Sequence, residues 1–220
     1  MEQVLNAVEA RVLGCLIEKE RTTPEYYPLT KKSLLAACNQ RSNRDPEMHL
    51  TETVLDEALD SLRYKHKLVA TVTQANSRVL KYRHELLSHY KFDPEDVAVI
   101  CELLLRGPQT AGALRTHTKR MVEIGSPARV KEILDQLMHW GDTAFVTRIP
   151  PARGMREERY AHLFCGEPKL DEVADGSDAH QEPQQVSSQA SVEEDPRIEA
   201  LENKVADLEA RLSALEQELL

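Results

Sequence analysis

Hydrophobic residues recur at intervals of three and four over most of the first 62 residues, which predicts amphipathic helices. The first helix is predicted from Val4 to Glu20 and the second from Thr30 to Gln40, and a third begins at Thr51. Thr30 and Thr51 are predicted N-caps, because a hydroxyl oxygen can accept a hydrogen bond from a backbone amide of the first turn. The apolar face of the third helix is formed by Val54, Leu55, Ala58, Leu59 and Leu62.

From Leu68 the hydrophobic period changes to two, which is typical of half-buried strands. Residues 68–73 and 78–83 are predicted to form a β-hairpin, joined by the polar residues 74–77. Three helices followed by a hairpin is the element order of a winged helix-turn-helix domain.

The same order is predicted a second time. Helices are predicted to begin at Asp93, Thr110 and Ser126, and residues 144–149 and 159–164 to form a second hairpin. The two copies align with an offset of 87 in the first helix and 75 in the third, and longer loops in the first copy absorb the difference, as in an internal duplication. We therefore predict a mainly α protein with small β-hairpins (α+β), made of two tandem winged helix-turn-helix domains, residues 1–88 and 89–166.

The last 54 residues differ in composition from the rest of the chain. Residues 167–195 are too poor in apolar side chains to build a core, which predicts a disordered acidic linker. Residues 196–220 carry an apolar heptad pattern, which predicts a coiled-coil helix and a parallel homodimer. The alternative is a helix that docks on its own domain, since three heptads are near the minimum length. The predicted dimer seam consists of Ile198, Leu201, Val205, Leu208, Leu212, Leu215 and Leu219.

The formal net charge of −9 is unevenly distributed along the chain. Residues 1–84 carry +2, residues 85–168 carry −1 and residues 169–220 carry −10, so the acidity belongs to the tail. Between Ser61 and His84 there are six basic residues and no acidic one, which favours a phosphate-binding wing, although a merely solvated hairpin is the alternative. The candidate nucleic-acid contacts are Arg63, Lys65, Lys67, Arg78, Lys81, Arg83, Arg129, Arg148, Arg153 and Arg156.

The third helix argues against reading of the DNA major groove, because its early outward positions are carboxylates that phosphates would repel. This acidic helix instead suggests a protein–protein adaptor, with DNA and a protein as alternative partners. The polar segment before it is a second candidate surface, or alternatively a turn that caps the helices. The candidate partner-binding residues are Glu52, Asp56, Asp60, Asn39, Arg41, Asn43 and Arg44.

Candidate chemistry is sparse. The chain has no G-x-x-x-x-G-K-[ST], G-x-G-x-x-G or H-E-x-x-H motif, and its four cysteines form no C-x-x-C pair. These observations predict a protein that is not an enzyme, holds no metal or cofactor and keeps its thiols reduced. The charged N-terminal residues and the lack of a long apolar run predict a cytoplasmic location without membrane contact.

Several long polar motifs of this chain are similar to those of a known protein family. The chain resembles the YceH-like family of bacterial proteins over residues 5–165 and again in the C-terminal heptads. This resemblance implies a fold similar to tandem winged-helix proteins and implies no particular activity. The motifs are Thr22–Leu29, Ala37–Pro46, Asn76–Tyr82, Leu103–Gly107 followed by Gln109 and Thr110, and Arg159–Phe164.

Overall fold

Two similar sets of helices and strands follow one another along the chain. The computed structural model describes residues 4–73, 79–151 and 157–168. Within these ranges it has seven α-helices and five β-strands, an α+β arrangement. No helix in this part of the chain has the length and hydrophobicity to cross a bilayer. Residues 169–195 of the predicted linker and the whole predicted coiled coil lie outside the described residues.

The first half contains three helices and a three-stranded antiparallel sheet. The helices are α1 (Ala7–Thr22), α2 (Lys31–Cys38) and α3 (Glu52–Asp60). The strands are β1 (Leu29–Thr30), β2 (Val69–Val72) and β3 (Lys81–His84), in the order β1-β3-β2. The β2–β3 pair confirms the predicted first hairpin. The sequence does not predict β1, because two extended residues are too few to show a period.

The connection from α3 to β2 is unusual. A π-helical turn, Ser61–Lys65, extends α3, and the amide of His66 donates to the carbonyl of Ser61 at 3.0 Å. Lys67 then adopts a positive φ of 57°, which is uncommon for a residue other than glycine. The sequence predicts an ordinary helix here, since hydrophobic spacing does not distinguish a π turn from an α turn.

The second half repeats three helices and a hairpin. After the short α4 (Leu86–His89), it contains α5 (Pro94–Arg106), α6 (Ala111–Thr118) and α7 (Pro127–Met138). The strands β4 (Val146–Ile149) and β5 (Arg159–His162) pair antiparallel, which confirms the predicted second hairpin with shorter strands.

The helices of the two halves begin in equivalent ways. Asn6 and Glu9 form a capping box at the start of α1, and Asp93 and Asp96 form one at the start of α5, again 87 residues further on. The hydroxyls of Thr30 and Thr110 cap α2 and α6. Thr51 and Ser126 cap α3 and α7. Thr30 and Thr51 are the N-caps that the sequence predicts, and Thr110 and Ser126 stand at predicted helix starts.

Helices α1 and α5 pack against each other and join the two halves in one hydrophobic core. They come close at Gly14, where an added Cβ would lie 2.9 Å from Cδ2 of Leu105 and 3.1 Å from Cβ of Leu104. The thiol of Cys101 lies 3.4 Å from the Gly14 carbonyl oxygen, to which it donates. Cys101 follows Gly14 by 87 residues, so equivalent positions of the two helices meet.

We expect alanine substitutions at two helical glycines to have opposite effects. Gly14→Ala should lower the free energy of unfolding, because overpacking costs about 1–3 kcal/mol and exceeds the gain in helix propensity of about 1 kcal/mol. Gly112→Ala should raise it by about 0.5–1 kcal/mol, since the nearest atom to the added Cβ is 3.8 Å away. Urea denaturation measures both, and a stabilised Gly14→Ala variant would show that α1 and α5 are not in close contact.

Candidate nucleic-acid interface

The first hairpin presents a cationic face to solvent. Side chains alternate along β3, so that Tyr82 and His84 face the core while Lys81 and Arg83 face outward. The residues opposite Lys81 and Arg83 on β2 are Val72 and Ala70, which carry no charge. The guanidinium of Arg83 pairs with Glu85 at 2.7 Å, whereas Lys81 forms no ion pair with another described residue.

Lys65 and Lys67 are two further basic residues, on the segment that leads from α3 into β2. Both are exposed at the end of the π turn, and neither forms an ion pair within the part of the chain that the structure describes. The His89 ring lies 2.9 Å from the Lys67 carbonyl oxygen, which ties this turn to α4. We call Lys65, Lys67, Lys81 and Arg83 the wing patch.

Arg63 has a different role from the lysines around it. Its Cζ atom lies 4.8 Å from the ring centroid of Tyr64, its guanidinium donates to Thr71 Oγ1 at 3.4 Å, and it pairs with Asp60 at 3.6 Å. The Arg63 side chain is only 24% exposed. Its guanidinium therefore makes intramolecular contacts, which the sequence does not predict.

Of the other predicted nucleic-acid contacts, the two that the structure describes are arginines close to carboxylates. Arg129 pairs with Glu95 at 2.7 Å and with Glu132 at 3.2 Å, and their hydrogen bonds raise the pKa of Arg129. Arg148 is 59% exposed and lies 3.5 Å from Glu158. Arg78, Arg153 and Arg156 lie outside the described residues.

The predicted acidic face of α3 is exposed. Glu52, Asp56 and Asp60 have side-chain exposures of 71%, 50% and 66%. Lys31 lies 3.1 Å from Asp56 and 3.5 Å from Glu52, so part of this charge is balanced locally. On another side of α3, a groove of about 520 Å³ runs between α3 and the start of α1. Its lining is Asn6, Ala7, Val8, Glu9, Val54, Glu57, Ala58 and Ser61.

Most of the predicted polar segment is bonded inside the chain. The Asn39 amide exchanges two hydrogen bonds with the backbone of Leu50, at 2.7 and 2.9 Å. Asn43 accepts a hydrogen bond from Arg106 of the second half, and the backbone amide of Asp45 donates to Leu105 at 2.9 Å. Of the four predicted residues of this segment, Arg41 is exposed. The segment therefore connects the two halves.

Arg44 takes part in a buried ion network. Its guanidinium makes two hydrogen bonds to Glu18, at 2.5 and 3.0 Å, and both side chains are 0% exposed. Arg120 of the second half bonds Glu18 and also Glu102, the latter at 2.8 Å. Burial alone would raise the pKa of Glu18, but Arg44 and Arg120 outweigh it and lower the pKa to about 2. In the sequence, the one feature that points to this network is the position of Glu18 next to the apolar residues of α1.

The cysteines form no disulfide, and two of the histidines lie against carboxylates. The cysteines are free, and burial raises the pKa of Cys101 and, to about 11, that of Cys165, which favours the unreactive thiol. His66 lies 3.5 Å from Glu9 and His84 lies 2.9 Å from Glu20, so the two histidines contact different carboxylates. Among the described residues no three metal-binding side chains cluster.

These features define the class of protein: an α+β chain in which two successive sets of three helices and a hairpin share one core. The chain belongs to the family described as "Protein of unknown function, DUF480", whose model matches residues 5–155. A UPF0502 protein of Geotalea uraniireducens is 46% identical over 219 residues, covering 100% of this chain and 90% of the relative. A UPF0502 protein of Cronobacter sakazakii is 43% identical over 219 residues, covering 98% and 97%. These matches confirm the resemblance to the YceH-like family.

Proposed function

We propose that this chain is a non-enzymatic tandem winged-helix protein that binds nucleic acid through the wing patch. The winged-helix assignment is supported by the repeated order of three helices and a hairpin, and by the pairing of β1 with β3 beside the first hairpin. A fold of this kind does not itself imply a function, so the functional proposal depends on the patch.

The observation that carries the proposal is the set of unpaired lysines. Lys65, Lys67 and Lys81 have no described carboxylate partner, so their ammonium groups are free to replace the counterions of a phosphate backbone. Lys81 and Arg83 lie two residues apart on the solvent face of β3, roughly 7 Å along the strand. That spacing is close to the distance between successive phosphates in a nucleic-acid strand. The exposed carboxylates of α3 are ill suited to the same ligand, which favours backbone contact by the wing over major-groove reading.

Fluorescence anisotropy with a labelled random duplex tests this proposal. We expect dissociation constants in the range of about 10⁻⁴ to 10⁻⁶ M, typical of contacts to the phosphate backbone, that rise steeply with salt. Absence of binding at low ionic strength would contradict the proposal.

A second candidate function is a protein–protein adaptor. It is favoured by the exposed carboxylates Glu52, Asp56 and Asp60 of α3, a surface that suits a basic partner. Charge reversal of these three residues should release such a partner in a pull-down from the source cells while leaving the thermal unfolding transition unchanged. Retention of every partner would contradict this function.

The proposed oligomeric state is a homodimer in the cytoplasm, held by the C-terminal heptads. This proposal comes from the a and d positions from Ile198 to Leu219, which lie outside the described residues. Truncation after Glu194 should convert a dimer to a monomer in analytical ultracentrifugation. An unchanged mass would mean that the heptads do not hold the subunits together.

A further inference from the structure

An exposed aromatic residue directly precedes Lys65 of the wing patch. Tyr64 is 69% exposed, between Arg63 and Lys65 on the π turn that ends α3. Isolated exposed aromatic residues are common on protein surfaces, and Tyr26, at 70%, is another. What distinguishes Tyr64 is that it stands between two basic residues in the chain and that the guanidinium of one of them, Arg63, lies over its ring.

Arg63 fixes the position of the Tyr64 ring. Its guanidinium is anchored by Asp60 of α3 and by Thr71 of β2, and its Cζ atom lies over the ring at 4.8 Å from the centroid. Such a cation–π contact covers one face of the ring. Because 69% of the residue is nevertheless exposed, most of the opposite face is open to solvent.

The same turn exposes the two lysines that follow the ring in the chain. The side chain of His66 is directed inward, 3% exposed and 3.5 Å from Glu9, while Tyr64, Lys65 and Lys67 are exposed on either side of it. Lys67 reaches this position with a left-handed backbone, a conformation that is often found at functional sites in residues other than glycine. This turn therefore exposes an aromatic ring and two ammonium groups that have no ion-pair partner among the described residues.

We infer that Tyr64 is a stacking platform for an unpaired base, and that the wing patch consequently prefers single-stranded nucleic acid to a duplex. This inference rests on the proposed function. An aromatic face flanked by cations is the arrangement that binds single strands, in which phosphates meet the charges and a base stacks on the ring. In a duplex both faces of each internal base are covered by its neighbours, so the ring has nothing to stack on. The acidic α3 next to the patch is also unsuited to entering a duplex groove.

Arg63 is accordingly a positioning residue. Arg63→Lys retains the positive charge but loses the planar group that stacks on the Tyr64 ring and reaches Thr71. We expect this variant to bind single strands several-fold more weakly while its affinity for a duplex is unchanged. A parallel loss on both ligands would assign Arg63 to phosphate contact instead.

The inference is tested by anisotropy with one labelled sequence as a single strand and as a duplex, using the full chain. The wild type should prefer the single strand, and Tyr64→Ala should weaken that binding about 5- to 100-fold, as removal of a stacked aromatic ring does. The affinity of Tyr64→Ala for the duplex should equal that of the wild type. Tyr64→Phe keeps the ring and should bind like the wild type, and Tyr26→Ala is the matched control for loss of an exposed tyrosine.

A second readout detects stacking directly. Stacking on Tyr64 should change the fluorescence of a single strand that contains 2-aminopurine, and Tyr64→Ala should abolish this change. Unchanged single-strand affinity of Tyr64→Ala, or an equal loss on single strand and duplex, would overturn the stacking inference while leaving phosphate binding by the patch intact. Absence of salt-dependent binding to either ligand would instead overturn the proposed function.

Discussion

Replacing Arg44 with methionine is expected to lower the free energy of unfolding by about 3 kcal/mol or more, as found when one partner of a buried ion pair is removed. The Glu18 carboxylate, 0% exposed, would lose both of its hydrogen bonds from Arg44. Arg120 and Lys19 remain near Glu18, which places the expected loss at the low end of the usual range. Urea denaturation followed by circular dichroism measures the change.

The matched control is Arg41→Met in the same segment. Arg41 is exposed, so this substitution should change the stability by less than about 0.5 kcal/mol. Equal effects of the two substitutions would contradict the buried network.

The pH dependence gives an independent check on the network. Because the pKa of Glu18 is lowered from 4.5 to about 2 in the folded protein, its stabilising effect is complete above pH 4.5 and is lost as the pH falls toward 2. The stability difference between the wild type and Arg44→Met should therefore narrow over that interval.

Replacing both Lys81 and Arg83 with glutamate is expected to abolish nucleic-acid binding, with a loss of at least about 100-fold at low salt. The double substitution reverses both charges on the solvent face of β3, and it should also flatten the slope of log K against log salt by roughly 1–2. Both side chains lie on the outer face of the sheet, so the fold should be retained. Anisotropy titrations at several salt concentrations measure affinity and slope together.

The control for this variant is a double charge reversal at two lysines outside the wing patch. Lys91 and Lys119 are also exposed, and their replacement with glutamate makes the same change in net charge outside the wing patch. This control should weaken binding only slightly. An equal loss in the two variants would mean that total charge, and not the wing patch, determines binding.

Local signals in the sequence predict much of the fold. Each hydroxyl cap accepts a hydrogen bond from the amide three residues later. The buried apolar residues of α3 and α7 recur within one or two helical turns. Such contacts depend on neighbours in the chain and can therefore be read from residue spacing. The short strand β1 and the π turn show no period of their own, because they form only through pairing and packing with distant residues.

The same reasoning explains what the sequence cannot indicate about the candidate site. Charges can be counted along the chain, but their pairing depends on the fold: Glu95 neutralises Arg129 from 34 residues away, and Glu18 binds Arg44 from 26 residues away. Arg44 therefore looks like a surface residue in the sequence and is buried in the structure. Lys65, Lys67 and Lys81 remain as candidates because nothing in the described residues pairs with them.

Hydrogen–deuterium exchange of the full chain, with and without a saturating oligonucleotide, tests most directly whether the first hairpin is the binding surface. The proposal predicts slower amide exchange on binding in peptides that cover the π turn, β2 and β3. Peptides that cover α3 before Ser61 should be unchanged. Protection confined to α3 or to the second hairpin, or no protection at an oligonucleotide concentration that saturates the anisotropy signal, would contradict it.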